Sequence, residues 1–471
     1  MFKLKENKTT VATEIVAGLT TFMTMAYIIA LNPNLLTGFG AEGQGLWNAV
    51  FMATCLASGI GTIIMGLLAN KPFAMAPGMG LNSFFAVVVA QIAALAGVSY
   101  TQGFQAGLVI ILIEGIVFLI LSVFNVRERI VKAIPLAIRI GIAPGIGLML
   151  MNIGFGSNAG IYSETGGPFY VMRDFFGALT AGTAQSAMGS GYGPMVLTVV
   201  TMFVGFFVIA ILAHYKKKGA VLIGMLAASV LYWICEAIFL HQNPFASLAT
   251  ASWLPAFGDM AQLTFFKFDF ATLFNIGFFT VIVLIFTFCI IDMFDTIGTL
   301  VGTASRAGMI DKDGNMPQMK QALTADAIGT LIGSATGTST VTTFIESASG
   351  VEAGGRTGLT AIVTGIVFLL CMFIAPIAAL IPAAATSSAL IYVGILMLGG
   401  LRNLDFDDSF QIVPVAVMLI AIPISGSIGH GIGLGMITFT VMKIFTGKAK
   451  DVSVLTYVIS ALFLIKFFLA I

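Results

Sequence analysis

The sequence predicts an all-α polytopic membrane protein of about fourteen spans, arranged as two inverted seven-span repeats. Composition is the first of three observations behind this. The 471 residues are 58% hydrophobic and only 9% charged, with a mean hydropathy of +1.03. A soluble domain carries about 25% charged residues, so this chain cannot cover a water-facing surface and a soluble enzyme is excluded. Apolar stretches recur along the chain at the length of about 20 residues that a bilayer core requires. Finally, the basic residues fall on one side of the predicted spans, as the positive-inside rule demands.

The first seven spans are predicted at 14–31, 49–68, 80–96, 106–124, 134–153, 195–213 and 219–240. The second seven are 273–291, 321–336, 338–352, 358–381, 386–401, 411–424 and 428–446, and a last apolar stretch, 452–470, contains Lys466. Lys3, Lys5 and Lys8 precede the first span, and no small-residue cleavage site follows it, so it reads as a retained helix. With the N-terminus in the cytoplasm, 19 of the 22 basic residues face inward, among them Lys71, Arg127, Arg129, Lys132, Arg139, Lys312 and Arg356; Arg173 and Lys267 fall outside. The chain therefore divides into a first repeat over 1–240, an outer linker over 241–272, a second repeat over 273–450 and an extra hydrophobic segment over 451–471. Because seven is odd, two consecutive sets must enter the membrane in opposite orientation, which is the topology of an inverted repeat.

Sequence identity between the halves is weak, and the better support is positional. The third span of each half is short and interrupted. In the first half the interruption is the run 72–82 (PFAMAPGMGLN), and in the second, at the tenth span, it is 333–343 (GSATGTSTVTT). Glycine, proline and β-branched residues there predict extended backbone leading into half-helices. Such backbone is tolerated at membrane depth only where it is buried in protein or lines a cavity. Matched interruptions point to a transport site between the repeats.

Four acids stand out within the spans: Glu114, Asp292, Asp295 and Glu346. A carboxylate at the bilayer centre costs about 2.5–3.5 kcal/mol on insertion scales, so each needs a reason. Asp292 and Asp295 lie three apart on roughly one helical face. Asp295 reads either as part of a site or as a tie between helices, and Glu114 reads more simply as an interhelical hydrogen bond. Asn82 offers two donors and an acceptor suited to a neutral heterocycle, or equally an N-cap for a half-helix. Phe84, Phe85 and Phe344 offer a stacking face, against a background of 40 phenylalanines. The run 429–435 (GHGIGLG) reads as close helix packing. The net charge of +1 gives no reason to expect nucleic acid. Four cysteines in apolar stretches and three scattered histidines give no metal site, and nothing suggests a cofactor.

Three motifs in order resemble the AzgA-like purine permeases, relatives of the nucleobase–ascorbate transporters. They are residues 76–85 (APGMGLNSFF), 292–296 (DMFDT) and 338–347 (TSTVTTFIES). The resemblance covers nearly the whole chain and implies a proton-coupled carrier in the cell membrane. It implies fourteen spans, with a core domain (spans 1–4 and 8–11) carrying the site. A gate domain (spans 5–7 and 12–14) would provide the scaffold and commonly a homodimer contact. It makes Asp292 and Glu346 the base-binding and proton-coupling carboxylates, Asn82 a pocket residue, and Gly80 and Asp295 supports for the interrupted spans. The stretch 452–470 has no counterpart in that pattern.

The chemistry of the residues agrees. Guanine presents N1–H and an amino group on one edge, a donor pair that one carboxylate accepts in bidentate fashion, and an imidazole-side N–H that a second can accept. The expected function is import of guanine or hypoxanthine by proton symport. Adenine transport by the same architecture is the alternative. An anion carrier using half-helix dipoles ranks below both, because ionised Asp292 and Glu346 would repel an anion. Sodium coupling through carbonyls of 333–343 is a further option. An intramembrane aspartyl protease is excluded, since no Gly-x-Gly-Asp sequence precedes Asp292, Asp295 or Asp326.

Overall fold

A computed structural model of the chain describes all residues except 1, 39–41, 125–134, 159–161, 164–170, 173–191, 250, 307–308, 310–315, 426–427 and 470–471. Arg127, Arg129, Lys132, Arg173 and Lys312, used in the charge argument, lie outside the described residues. The chain opens with α1 (Val11–Met25) and α2 (Ile28–Leu36), followed by α3 (Gln44–Leu68), β1 (Met75–Pro77), α4 (Met79–Ala96) and α5 (Tyr100–Val123). Next come α6 (Leu136–Ile153), two-residue strands β2 (Tyr162–Ser163) and β3 (Val171–Met172), α7 (Tyr192–His214) and α8 (Ala220–Phe239). Two short helices, α9 (Phe257–Leu263) and α10 (Phe270–Asn275), lead to α11 (Phe278–Arg306), α12 (Met319–Thr336), β4 (Val341–Thr343) and α13 (Ser347–Glu352). The remainder is α14 (Gly358–Leu370), α15 (Ala383–Met397), α16 (Ser409–Ser425), α17 (Ile428–Phe445) and α18 (Val454–Leu469). Among the described residues, ten helices are long and apolar enough to cross a membrane, and shorter apolar helices lie at Phe278–Met293, Ser409–Ser425 and Val454–Ile465.

Two compact units form. One comprises Met1–Pro135, Leu254–Ala375 and Ser453–Ile471, the other Leu136–Trp253 and Pro376–Val452. In the first, α3 packs on α12 and α14, α5 on α12, and α1 on α13 and α14. In the second, α6 packs on α15 and α16, α7 on α8 and α15, and α16 on α17.

The helices are inside-out relative to a soluble protein. On α1, Val11, Ile15, Leu19 and Met23 are exposed, while Glu14, Ala17, Gly18 and Thr21 are buried. Lipid solvates large apolar side chains as well as a core does, so on α1 small and polar residues can occupy the packed face, while elsewhere large ones such as Phe51, Phe85 and Phe288 are buried too. The crossing of α3 and α14 shows the result. A Cβ placed on Gly358 would lie 1.9 Å from the Gly66 carbonyl oxygen, and one on Gly365 would lie 2.6 Å from that of Gly59. Gly358→Ala is therefore expected to destabilise the solubilised protein by about 1–3 kcal/mol, the usual cost of overpacking. Gly258→Ala, with nothing within 4 Å of the added methyl, serves as the neutral control. Equal melting temperatures for the two variants would refute the close crossing. The glycine run of α17 is used likewise, Gly431 facing Ile422 and Gly435 facing Met418 on α16.

Element boundaries depart from the sequence expectation in several places: the predicted span 14–31 is split between Met25 and Ile28, and two further departures lie nearer the interrupted runs. The predicted eighth span, 273–291, is split at Gly277, whose φ of +96° follows the end of α10. Beyond it α11 runs on for 29 residues, because no proline or glycine turn stops it at 291. The predicted interruption at 333–343 begins later, since α12 continues to Thr336 and is closed by Gly337 at φ +108°. Ser334 and Thr336 stay helical by donating back to the carbonyls of Leu331 and Ile332, at 2.9 and 2.8 Å.

Candidate functional site

Both interrupted runs contain a short extended segment, and the two segments pair. β1 and β4 form an antiparallel ribbon with Met75 opposite Thr343, Ala76 opposite Thr342 and Pro77 opposite Val341. The ladder extends through Gly78 N–H to Thr340 O (3.1 Å) and Phe344 N–H to Ala74 O (2.9 Å). The helices that follow, α4 and α13, leave the ribbon at opposite ends. Every residue of β1 and β4 is buried, so each outward-facing backbone group needs a protein partner. Thr62 Oγ1 accepts from Met75 N–H (2.8 Å) and donates to Met75 O (3.0 Å), and Ser347 Oγ accepts from Ala74 N–H (2.9 Å). Thr330 Oγ1 donates to Val341 O (3.3 Å), and Asp326 Oδ1 accepts from Thr343 N–H (3.2 Å). The hydroxyl-rich sequence around the ribbon thus takes the place of missing neighbour strands.

Carboxylates surround this ribbon. Glu346 lies in the turn between β4 and α13, half-buried, and its Oε1 accepts from the Tyr27 phenol at 2.8 Å. Asp295 is also half-buried; Thr342 Oγ1 donates to its Oδ2 at the long limit of 3.5 Å. A Cβ built on Gly78 would press on Thr342 Oγ1 at 3.0 Å and only touch that same Asp295 oxygen at 3.4 Å. Asp295 is within electrostatic reach of both Asp326 and Glu346. Asp292 is wholly buried, one turn before Thr296 on α11. The Thr296 hydroxyl lies 2.9 Å from Asp292 Oδ1 and 3.0 Å from Asp326 Oδ2. One hydroxyl has one hydrogen, so it either divides that hydrogen between the two carboxyls or donates to one and accepts from the other. The Asp292–Thr296–Asp326 triad thus joins acids of two helices through one hydroxyl.

Asn82 is buried in the first turns of α4, where Oδ1 accepts from Ser339 and Nδ2 donates to Pro77 O at 3.2 Å. It is not the N-cap: Gly78 holds that position and accepts from Asn82 N–H at 2.8 Å. Asn82 instead ties the start of α4 to the chain entering β4. Gly80 is buried in the same first turn. Phe84 packs on Phe288 at 4.6 Å with the rings tilted by 41°, Phe85 meets Phe104 edge-on at 5.2 Å, and Phe344 is buried beside β1. Glu114 accepts from Thr340 Oγ1 at 2.7 Å, a hydrogen bond that holds the chain entering β4 to α5 and is not the interhelical bond expected.

Sequence reasoning missed three polar residues. Asp326, Tyr27 and Glu14 are all buried. Asp326 looked like an ordinary helix acid, and Glu14 stands at the start of the first span. A carboxylate inside a predicted span was the available signal for Asp326; for Tyr27 there was none.

Apolar helices, two buried extended segments paired between them and acids gathered at the pairing define a multi-pass membrane permease. The fold is similar to the transmembrane domain of the cyanobacterium bicarbonate transporter BicA, with a TM-score of 0.62 at 15% identity, covering 90% of this chain and 96% of that one. It is also similar to SLC26A9, with a TM-score of 0.61 at 12% identity over 94% of this chain and 66% of that one. The chain belongs to the Permease family, which it matches over residues 12–182 and 176–434. It is 40% identical to the adenine permease AdeP of Escherichia coli over 466 residues, 99% of this chain and 95% of the relative. It is 36% identical to the guanine/hypoxanthine permease PbuO of Bacillus subtilis over 477 residues, covering both chains completely. Its relatives are nucleobase permeases, transporters and not enzymes.

Proposed function

We propose that the protein imports 6-oxopurines, guanine or hypoxanthine, by proton symport across the cell membrane, with the N-terminus cytoplasmic. The carrying observation is the set of acceptors at the ribbon: Glu346 and Asp295 half-buried beside it, and Asp292 one turn from Thr296. Glu346 and Asp292 hold the base and the proton, Asn82 shapes the pocket, Phe84 and Phe344 line it, and Gly80 and Asp295 keep the two interrupted spans in register. An acceptor-rich site suits the N1–H edge of an oxopurine, and the triad at Thr296 supplies a place for the coupled proton. The first compact unit is the core domain of this reading and the second its gate. Antiparallel pairing of β1 with β4 supports fourteen spans in two inverted repeats, since a two-fold axis in the membrane plane relates two such segments by reversal.

The relationship to the adenine permease of Escherichia coli favours a second reading, in which the base is adenine. An anion carrier is disfavoured because the carboxylates at the ribbon would repel the cargo.

The test is uptake of labelled guanine, hypoxanthine, adenine, uracil and xanthine by cells or proteoliposomes carrying the protein. Guanine and hypoxanthine are expected to be accumulated, to compete with each other, to decline as external pH rises and to be lost with a protonophore. Adenine uptake that unlabelled guanine does not inhibit would replace the substrate assignment. Accumulation that follows a sodium gradient and ignores the pH gradient would replace the coupling ion.

A further inference from the structure

Tyr27 lies at the junction of α1 and α2, 1% exposed, with its hydroxyl 2.8 Å from Glu346 Oε1. The same stretch of chain touches residue 346 a second time, through Thr24 Oγ1 to the Glu346 carbonyl at 3.5 Å. The end of α1 therefore fixes where this carboxylate sits and which oxygen is engaged. A phenol has one hydrogen, which it donates to Oε1 whenever Glu346 is ionised. The bond is also charge-assisted when Glu346 is ionised, and such bonds are about twice as strong as neutral ones. Tyr27 thus rewards the state in which Glu346 only accepts hydrogen bonds.

That state discriminates between two classes of purine. A 6-oxopurine presents N1–H at its Watson–Crick edge and needs an acceptor there. A 6-aminopurine presents the N1 lone pair at the same place and needs a donor, which Glu346 provides only when protonated. We propose that Tyr27 is a specificity-determining residue, which selects oxopurines over aminopurines by holding Glu346 as an acceptor. The proposal rests on the reading that Glu346 binds the base. Tyr27 itself acts through Glu346, as a positioning residue.

The experiment compares wild type with Tyr27→Phe in the full-length protein. KM and maximal rate are measured for labelled guanine and labelled adenine, with membrane abundance and melting temperature as controls for folding. Phenylalanine keeps the buried ring and removes only the donor. Loss of a hydrogen bond to a charged group corresponds to roughly a tenfold change in affinity. The expected result is a rise of about tenfold in KM for guanine, no rise for adenine, and a selectivity ratio reduced in the same measure. Proportional increases for both bases, or no change in either, would overturn the proposal. Should the Phe variant fail to reach the membrane, Glu346→Asp draws the carboxylate back from the phenol while keeping its charge. It is expected to lose selectivity in the same direction, and wild-type selectivity there would overturn the proposal too. Glu346→Gln separates the two layers of the argument. Guanine uptake that survives it removes the underlying reading and the proposal together. Uptake abolished by it, with an unchanged ratio in Tyr27→Phe, overturns the role of Tyr27 alone.

Discussion

Replacing Asp292 by asparagine is expected to abolish uphill accumulation of the transported purine. The substitution is nearly isosteric, and the amide oxygen can still accept from Thr296, so the wholly buried site keeps its packing. What disappears is a charge and a proton acceptor. Removing one member of a buried, hydrogen-bonded charge network costs about 2–5 kcal/mol, which corresponds to ~30-fold or more in transport affinity or rate. Under the proposed proton symport, coupling is expected to suffer beyond that, because the triad with Thr296 and Asp326 then has one titratable carboxyl where it had two. Exchange of substrate across preloaded vesicles is expected to survive in part, since it requires no net proton movement. Protonophore-sensitive accumulation at the wild-type level in the Asn variant would remove Asp292 from the mechanism.

Glu14→Ala is expected to give the largest loss of stability. Its carboxylate reaches across from α1 to the start of α14, where Oε1 accepts from Arg356 N–H at 2.9 Å. Oε2 accepts from the N–H groups of Thr357 and Thr360, at 3.3 and 3.1 Å, and from the Thr360 hydroxyl at 2.6 Å. The first turn of any helix has amides without intrahelical partners, and here a distant buried acid satisfies them. Alanine would take the acceptor from the Arg356 and Thr357 amides, at about 1–3 kcal/mol each, and leave Thr360 with only its contacts to the Thr357 and residue-14 carbonyls, so a net loss of roughly 3–5 kcal/mol is expected. Thermal melting of the detergent-solubilised protein measures it. The control is Glu6→Ala, which removes only the exposed Lys3–Glu6 pair at 3.0 Å and should leave the melting temperature unchanged. A Glu14→Ala variant as stable as that control would rule out the capping role.

Much of the helix layout could be read from the chain. Runs such as 106–124 have to be helical and apolar to cross a bilayer, and α5 spans Tyr100–Val123. The two interruptions were legible from glycine, proline and threonine in stretches otherwise suited to spans, and both contain extended backbone. Glu114 was legible as a structural tie, but its partner Thr340 lies in the non-helical chain before β4 and not in a second helix. Less of the site could be read. Asn82 carried two equal readings, and the N-cap falls on Gly78 instead. The sequence around Asp326, 322–330 (ALTADAIGT), is that of an ordinary helix and names no partner for the acid. Only the ribbon brings the Thr343 amide to it.

The amino-acid sequence by itself determined that this chain lives in a membrane, where its helices run and where two of them break. Those properties follow from transfer of each residue out of water and from local backbone preference, which need no knowledge of distant neighbours. The tertiary structure alone decided which polar groups meet. Tyr27 and Glu346 are 319 residues apart and share one hydrogen bond, and Asp292 and Asp326 converge on one threonine. A hydrogen bond is directional and short, so its partner is chosen by the packing of whole helices and leaves no trace in the local pattern of residues.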